Sequence, residues 1–253
     1  MSDGRTVKGF REFLFALVFR LCYVGSKGAR ACLNDIHGER KKSMRAQHHV
    51  TAILHCLQDL YPELGRHLQA ETPWQILVAT VLAAQCTDAR VNTVTPELFR
   101  RWPGPAELAE ASQEDLESVI RSTGFYRNKA KNLLGAARMV MDTFGGLVPA
   151  AMQDLIRLPG VARKTANCVL WGGFGLNEGL AVDTHVKRIA FRLGLTEEKD
   201  PVAVEKDLMA LFPQAEWGGV NHRMVWFGRD VCMARSPRCD VCGMNGFCPK
   251  KGV

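Results

Sequence analysis

The chain has 253 residues, 47% hydrophobic and 23% charged. That composition sustains a buried core and excludes disordered, collagen-like and coiled-coil classes. Its net charge of +7 sits mostly in the first 45 residues, where ten Lys or Arg face four Asp or Glu, and no apolar run approaches the ~20 residues that a membrane helix needs. Nine cysteines are too few for a disulfide scaffold and odd in number, so a reducing compartment such as the cytoplasm is expected.

Residues 1–43 read as an N-terminal extension. Phe10 to Val24 is apolar but interrupted by Arg11, Glu12 and Arg20, and lacks a secretory cleavage pattern. The segment is expected to be disordered or to precede a true start at Met44. An organelle transit peptide is the alternative reading. From residue 47 the signals are helical. Thr72-Pro73 is a cap followed by proline at the first helical position, and Trp74, Leu77, Val78, Val81 and Leu82 form one apolar face. Ser112-Gln113-Glu114-Asp115 has capping-box form, and Pro149 is expected to open another helix. Gly124, Gly145-Gly146, Gly160, Gly194 and Gly218-Gly219 read as punctuation. No period-2 alternation is sustained, so the fold class is all-α.

Four features carry chemistry. Ala83 to Asp88 places the amide of Gln85 at the end of the Trp74 helix face. Basic groups recur at Arg121, Arg127, Lys129, Lys131 and Arg138, then at Arg157, Arg163 and Lys164, then at Arg223, Arg229, Arg235 and Arg238. They form either one phosphate-facing surface or separate solvated faces. Leu158-Pro159-Gly160-Val161-Ala162-Arg163-Lys164 is a tight turn leading into a helix start, whose amides suit a phosphate. Asp183 stands at a helix N-cap position. Cys232, Cys239, Cys242 and Cys248 form a C-x6-C-x2-C-x5-C array, a ligand set for zinc or an iron-sulfur cluster.

Taken in order, Ala84 to Asp88, Gly124-Phe125-Tyr126, the Leu158 to Ala166 hairpin, Val182 to His185 and the cysteine array resemble endonuclease III. This is the helix-hairpin-helix DNA glycosylase/lyase family with a 4Fe-4S cluster. The resemblance spans roughly residues 45–250. It implies a two-domain fold: residues 66–176 as a six-helix domain holding the hairpin, and residues 44–65 plus 177–253 as the cluster domain. It implies a base-excision enzyme that removes oxidised pyrimidines from damaged double-stranded DNA and cuts the abasic site by β-elimination. The partner would be DNA, the enzyme a monomer, and its place the nucleoid of a bacterial cytoplasm.

Residue by residue, the resemblance makes Lys164 the nucleophile, kept neutral by burial and by Arg163, and Asp183 its carboxylate partner. Gln85 and Phe125 would enter the duplex, with Asp88 beside them. Pro159, Gly160, Val161, Ala162 and Arg163 would hold a phosphate, and Arg235 and Arg238 would touch the backbone. Cys232, Cys239, Cys242 and Cys248 would hold the 4Fe-4S cluster. Ala162 replaces a frequent glycine, Phe125 a frequent leucine, and the loop read over Gly172 to Gly179 is one residue longer than usual. The rival functions are a monofunctional adenine-mismatch glycosylase, in which a lysine at position 164 would be unusual, and a non-catalytic helix-hairpin-helix module.

Overall fold

The computed structural model describes residues 47–65 and 67–253; the extension read at residues 1–43 lies outside them. Among the described residues all regular structure is helical. Helix α1 covers residues 47–60. Helix α2, Pro73–Leu82, starts as expected: the Thr72 hydroxyl accepts from the Gln75 amide at 3.2 Å, while Gln75 Oε1 accepts from the Thr72 amide. The predicted face of Trp74, Leu77, Val78, Val81 and Leu82 is buried. Helix α3, Asp88–Arg101, is capped by Thr87. Helices α4, Pro105–Ala109, and α5, Gln113–Ile120, lead into α6, Tyr126–Phe144. Ser112 caps α5, but Asp115 accepts from the Ser112 hydroxyl at 2.7 Å instead of reaching back to its amide, so half of the capping box is made.

The short α7, Met152–Leu155, and α8, Arg163–Phe174, flank the hairpin. Then follow α9, Thr184–Arg192, α10, Pro201–Leu211, and α11, Trp217–Asp230. The cysteine-bearing segment after α11 contains only a 3₁₀ turn, Cys239–Val241. Helix α2 packs along α8, α4 and α5 pack on α6, and α9 packs on α11. Leu77, Leu82, Leu133, Leu155, Val169 and Leu170 lose all solvent contact in the core between α2, α6, α7 and α8.

Three glycine and proline expectations need correction. Pro149 does not open a helix: α7 starts at Met152, whose amide is met at 3.2 Å by Glu178 from a distant loop. Gly172 and Gly173 lie inside α8, where a side chain on Gly173 would come 3.1 Å from the Pro73 backbone, so they permit the α2–α8 contact. The loop therefore starts at Gly175, which ends α8 with a positive φ. Gly218 and Gly219 likewise belong to α11, and Gly218 makes room for the Trp171 indole.

Candidate active site

The hairpin is a tight turn from Leu158 to Val161, closed by the Val161 amide donating to the Leu158 carbonyl at 3.1 Å. Gly160 has φ +80°, and a side chain there would stand 2.9 Å from Cβ of Asn132, so conformation and space both require glycine. Pro159 packs on Gly135 of α6. Ala162 is the N-cap of α8 at φ −92°, a conformation open to any residue, so the alanine costs the turn nothing. It also brings no side-chain cap, whereas Thr72, Thr87, Ser112, Asp183 and Asp200 cap their helices. The first amides of α8 thus lack a side-chain partner and suit an anion. Arg163 is engaged elsewhere: its Nε donates to buried Glu205 of α10 at 2.7 Å, and Glu205 also accepts from Asn167 at 2.9 Å.

Lys164 lies in the second position of α8 and lines a cavity of about 380 Å³ together with Asp183 and Asp88. Lys164 itself is exposed. Asn167, Cys168 and Trp171, at i+3, i+4 and i+7, share that helix face and line the same cavity. The pKa of Lys164 is raised, not lowered. Cys168 one turn away contributes most, Asp183 and Asp88 add to it, and together they outweigh burial, which acts the other way. The lowering expected from Arg163 does not arise: its guanidinium is paired with Glu205 and it is not among the causes that shift Lys164.

Asp183 caps α9, and both amides it accepts, from His185 at 2.8 Å and Val186 at 2.9 Å, go to Oδ1. Capping therefore uses one carboxylate oxygen, and the cap and catalytic readings are compatible. Asp88, read as a DNA contact, is salt-bridged to Arg229 at 2.6 Å within the cavity wall. Arg229 also meets Nδ1 of His67 at 3.1 Å, and His67 packs against His222 and Trp226 with ring centroids 4.1 and 4.4 Å away. Burial is the main cause that lowers the His67 pKa to about 4, so the ring is neutral at any ordinary pH. These walls were missed in the sequence; the only available signal was the helical spacing from Lys164.

Gln85 and Phe125 share an unusual backbone. Their φ values, +53° and +48°, fall in the left-handed region that non-glycine residues avoid, and Phe125 is 66% exposed. Strain and exposure coincide at the two residues assigned to enter the duplex, and at Phe125 the exposed surface is apolar. The basic patches are less uniform than their sequence suggests. Arg163, Arg223 and Arg229 are ion-paired, and Lys129 is buried. Arg235 and Arg238 are exposed in the loop between Cys232 and Cys239.

Cys232, Cys239, Cys242 and Cys248 are free thiols that line one small cavity beside Arg192 and Met244. Among the described residues no group of three or more metal-binding side chains is gathered as around a single ion. Main-chain amides of Met244 and Lys250 donate to the sulfurs of Cys242 and Cys248 at 3.4 Å, and Arg192 donates to Cys232 at 3.5 Å. Burial and the neighbouring thiols raise the pKa of Cys242 and Cys248, a repulsion that bound iron would offset. Replacing Cys239 with Ser is expected to remove iron and sulfide on elemental analysis. A loss of ~3 kcal/mol would lower Tm by roughly 6–12 °C, readable by calorimetry.

A tight hairpin feeding an uncapped helix, a lysine and an aspartate in one cavity, and a four-cysteine loop together define a helix-hairpin-helix DNA glycosylase. Residues 78–214 match the HhH-GPD superfamily of base excision DNA repair proteins, and residues 232–248 match the iron-sulfur binding domain of endonuclease III. The chain is 50% identical to endonuclease III of Synechocystis sp. over 210 residues, covering 83% of this chain and 95% of that protein. It is 44% identical to endonuclease III of Bacillus subtilis over 75% and 87% of the two chains. A solved structure of a trapped endonuclease III–DNA covalent intermediate superposes with a TM-score of 0.75 at 41% identity, covering 79% of this chain and 96% of the other. A thermostable thymine-DNA glycosylase, 22% identical, shares the fold with a TM-score of 0.72 over 82% and 96%.

The chain belongs to the endonuclease III family. It is a base-excision repair DNA glycosylase and abasic-site lyase that acts on DNA and carries a 4Fe-4S cluster. The adenine-mismatch and non-catalytic alternatives are not favoured. Among the described residues no helix is long and apolar enough to cross a membrane.

Proposed function

We propose that this enzyme removes oxidised pyrimidines by a Schiff base on Lys164 and works as a monomer on the bacterial chromosome. The observation that carries this reading is the shared cavity of Lys164 and Asp183 at the start of the hairpin-docked helix. Its volume suits one extruded nucleotide. Residues 67–176 act as the hairpin-bearing lobe, and residues 177–253 act as the cluster-bearing lobe. The cluster, when bound, ties the C-terminal loop into a fixed shape, so that Arg235 and Arg238 meet the DNA backbone.

The steps follow from the residues. Gln85 and Phe125 fill the gap left by the extruded nucleotide, and the hairpin from Pro159 to Arg163 holds a downstream phosphate through the amides of Gly160, Ala162 and Arg163. Lys164 must lose a proton before its Nζ attacks C1′ and the base departs with the glycosidic electron pair. The free oxygen of Asp183 stabilises the positive charge that develops on the sugar. The attached nitrogen gives up a proton and pushes its lone pair onto C1′, the C1′–O4′ bond breaks, and O4′ takes up a proton as the sugar ring opens to the iminium; this acidifies C2′–H, and loss of that proton expels the 3′ phosphate.

The raised Lys164 pKa gives the pH dependence its sign. At neutral pH the amine is mostly protonated, so the reactive fraction grows with pH until the lysine pKa is reached. Single-turnover nicking of an oxidised-pyrimidine duplex is expected to climb with a slope of about one log unit per pH unit below that point. A flat profile, or products without the β-elimination end, would contradict this reading.

A further inference from the structure

Lys129 stands outside the chemistry assigned above. It is 5% exposed, and its Nζ donates to two main-chain carbonyls, Leu82 and Thr123, each at 2.8 Å. Leu82 is the last residue of α2, three positions before Gln85, and Thr123 lies two positions before Phe125. The Lys129 amide also donates to the carbonyl of Phe125 at 3.1 Å. One side chain therefore ties together the two turns that carry the strained, exposed residues. The negative end of the α2 dipole helps to accommodate the buried charge.

We infer that Lys129 is a positioning residue that fixes the separation of Gln85 and Phe125, so that both enter the duplex together when the damaged nucleotide leaves. The geometry is specific to this task. Left-handed conformations at non-glycine residues cost of order 1–3 kcal/mol and persist only where the surroundings over-determine them. A buried ammonium with two fixed acceptors supplies such a constraint, since releasing either turn leaves a carbonyl and a charge unpaired away from water. The inference rests on the proposed wedge role of Gln85 and Phe125. It adds that their spacing is set by a residue that touches neither DNA nor the reacting atoms.

Lys129→Met keeps the length and apolar stem but removes every donor. The full-length, cluster-loaded variant is compared with wild type on an oxidised pyrimidine in duplex and on an abasic site in a single strand, where no nucleotide has to be extruded. The expected result is a loss in kcat/KM of roughly tenfold or more on the duplex, with borohydride trapping on the single strand nearly unchanged. In a Phe125→Ala background the same substitution is expected to cost much less, because the two residues act through one element. Equal losses on both substrates, no loss on either, or full additivity with Phe125→Ala would overturn the assignment. Phe125→Ala serves as the control for the underlying reading. If it fails to discriminate the two substrates, the wedge reading falls and this inference with it; if it discriminates and Lys129→Met does not, this inference alone falls. Should Lys129→Met not fold, Lys129→Gln, which keeps an N–H donor on a shorter arm, takes its place under the same criteria.

Discussion

Lys164→Arg is expected to abolish covalent trapping and to lower glycosylase turnover by roughly 10⁴-fold or more, the scale of removing a covalent nucleophile. The substitution keeps a cation at the start of α8, so affinity for the lesion duplex in a gel-shift assay should change little. Guanidinium stays protonated at every working pH and forms no Schiff base. The cavity makes the contrast sharp, because Arg229 and Asp88 already form its structural ion pair and Lys164 is not needed for that purpose.

Asp183 separates two roles by the choice of substitution. Asn caps a helix about as well as Asp, so Asp183→Asn is expected to fold with nearly wild-type Tm and to bind DNA. Its turnover should fall about 10²–10³-fold, since the carboxylate charge that faces the developing cation is gone. Asp183→Ala loses the cap too, leaving the amides of His185 and Val186 without their acceptor, and should cost about 1 kcal/mol more in stability. Thermal denaturation and single-turnover kinetics on the two variants read the two effects separately. Equal turnover in Asp183→Asn and wild type would confine this residue to capping.

Much of this site was legible because its chemistry rides on local signals. Asp183 announces a helix start, Pro159-Gly160 a turn, and the cysteine spacing a ligand set, and each depends on neighbours in the chain. The walls of the cavity were not legible, because His67, His222 and Arg229 reach it from segments whose approach is set by packing. Lys129 was misread as surface charge for a related reason: a charge pattern records sign and spacing, whereas burial depends on Leu82 and Thr123 closing over the ammonium. Gly172-Gly173 and Gly218-Gly219 looked like breaks, yet close helix contacts use the same residue type as turns do. The strain at Gln85 and Phe125 leaves no compositional trace, since nothing in either residue type favours a positive φ.

The most direct test of the central claim is to locate the covalent bond. Wild-type enzyme is reduced with borohydride on an oxidised-pyrimidine duplex, and the adduct is digested and mapped by mass spectrometry. The sugar-derived mass is expected on the peptide containing Lys164 and nowhere else, whereas an adduct on another lysine or on a terminal amine would contradict the mechanism while leaving the fold and the family intact.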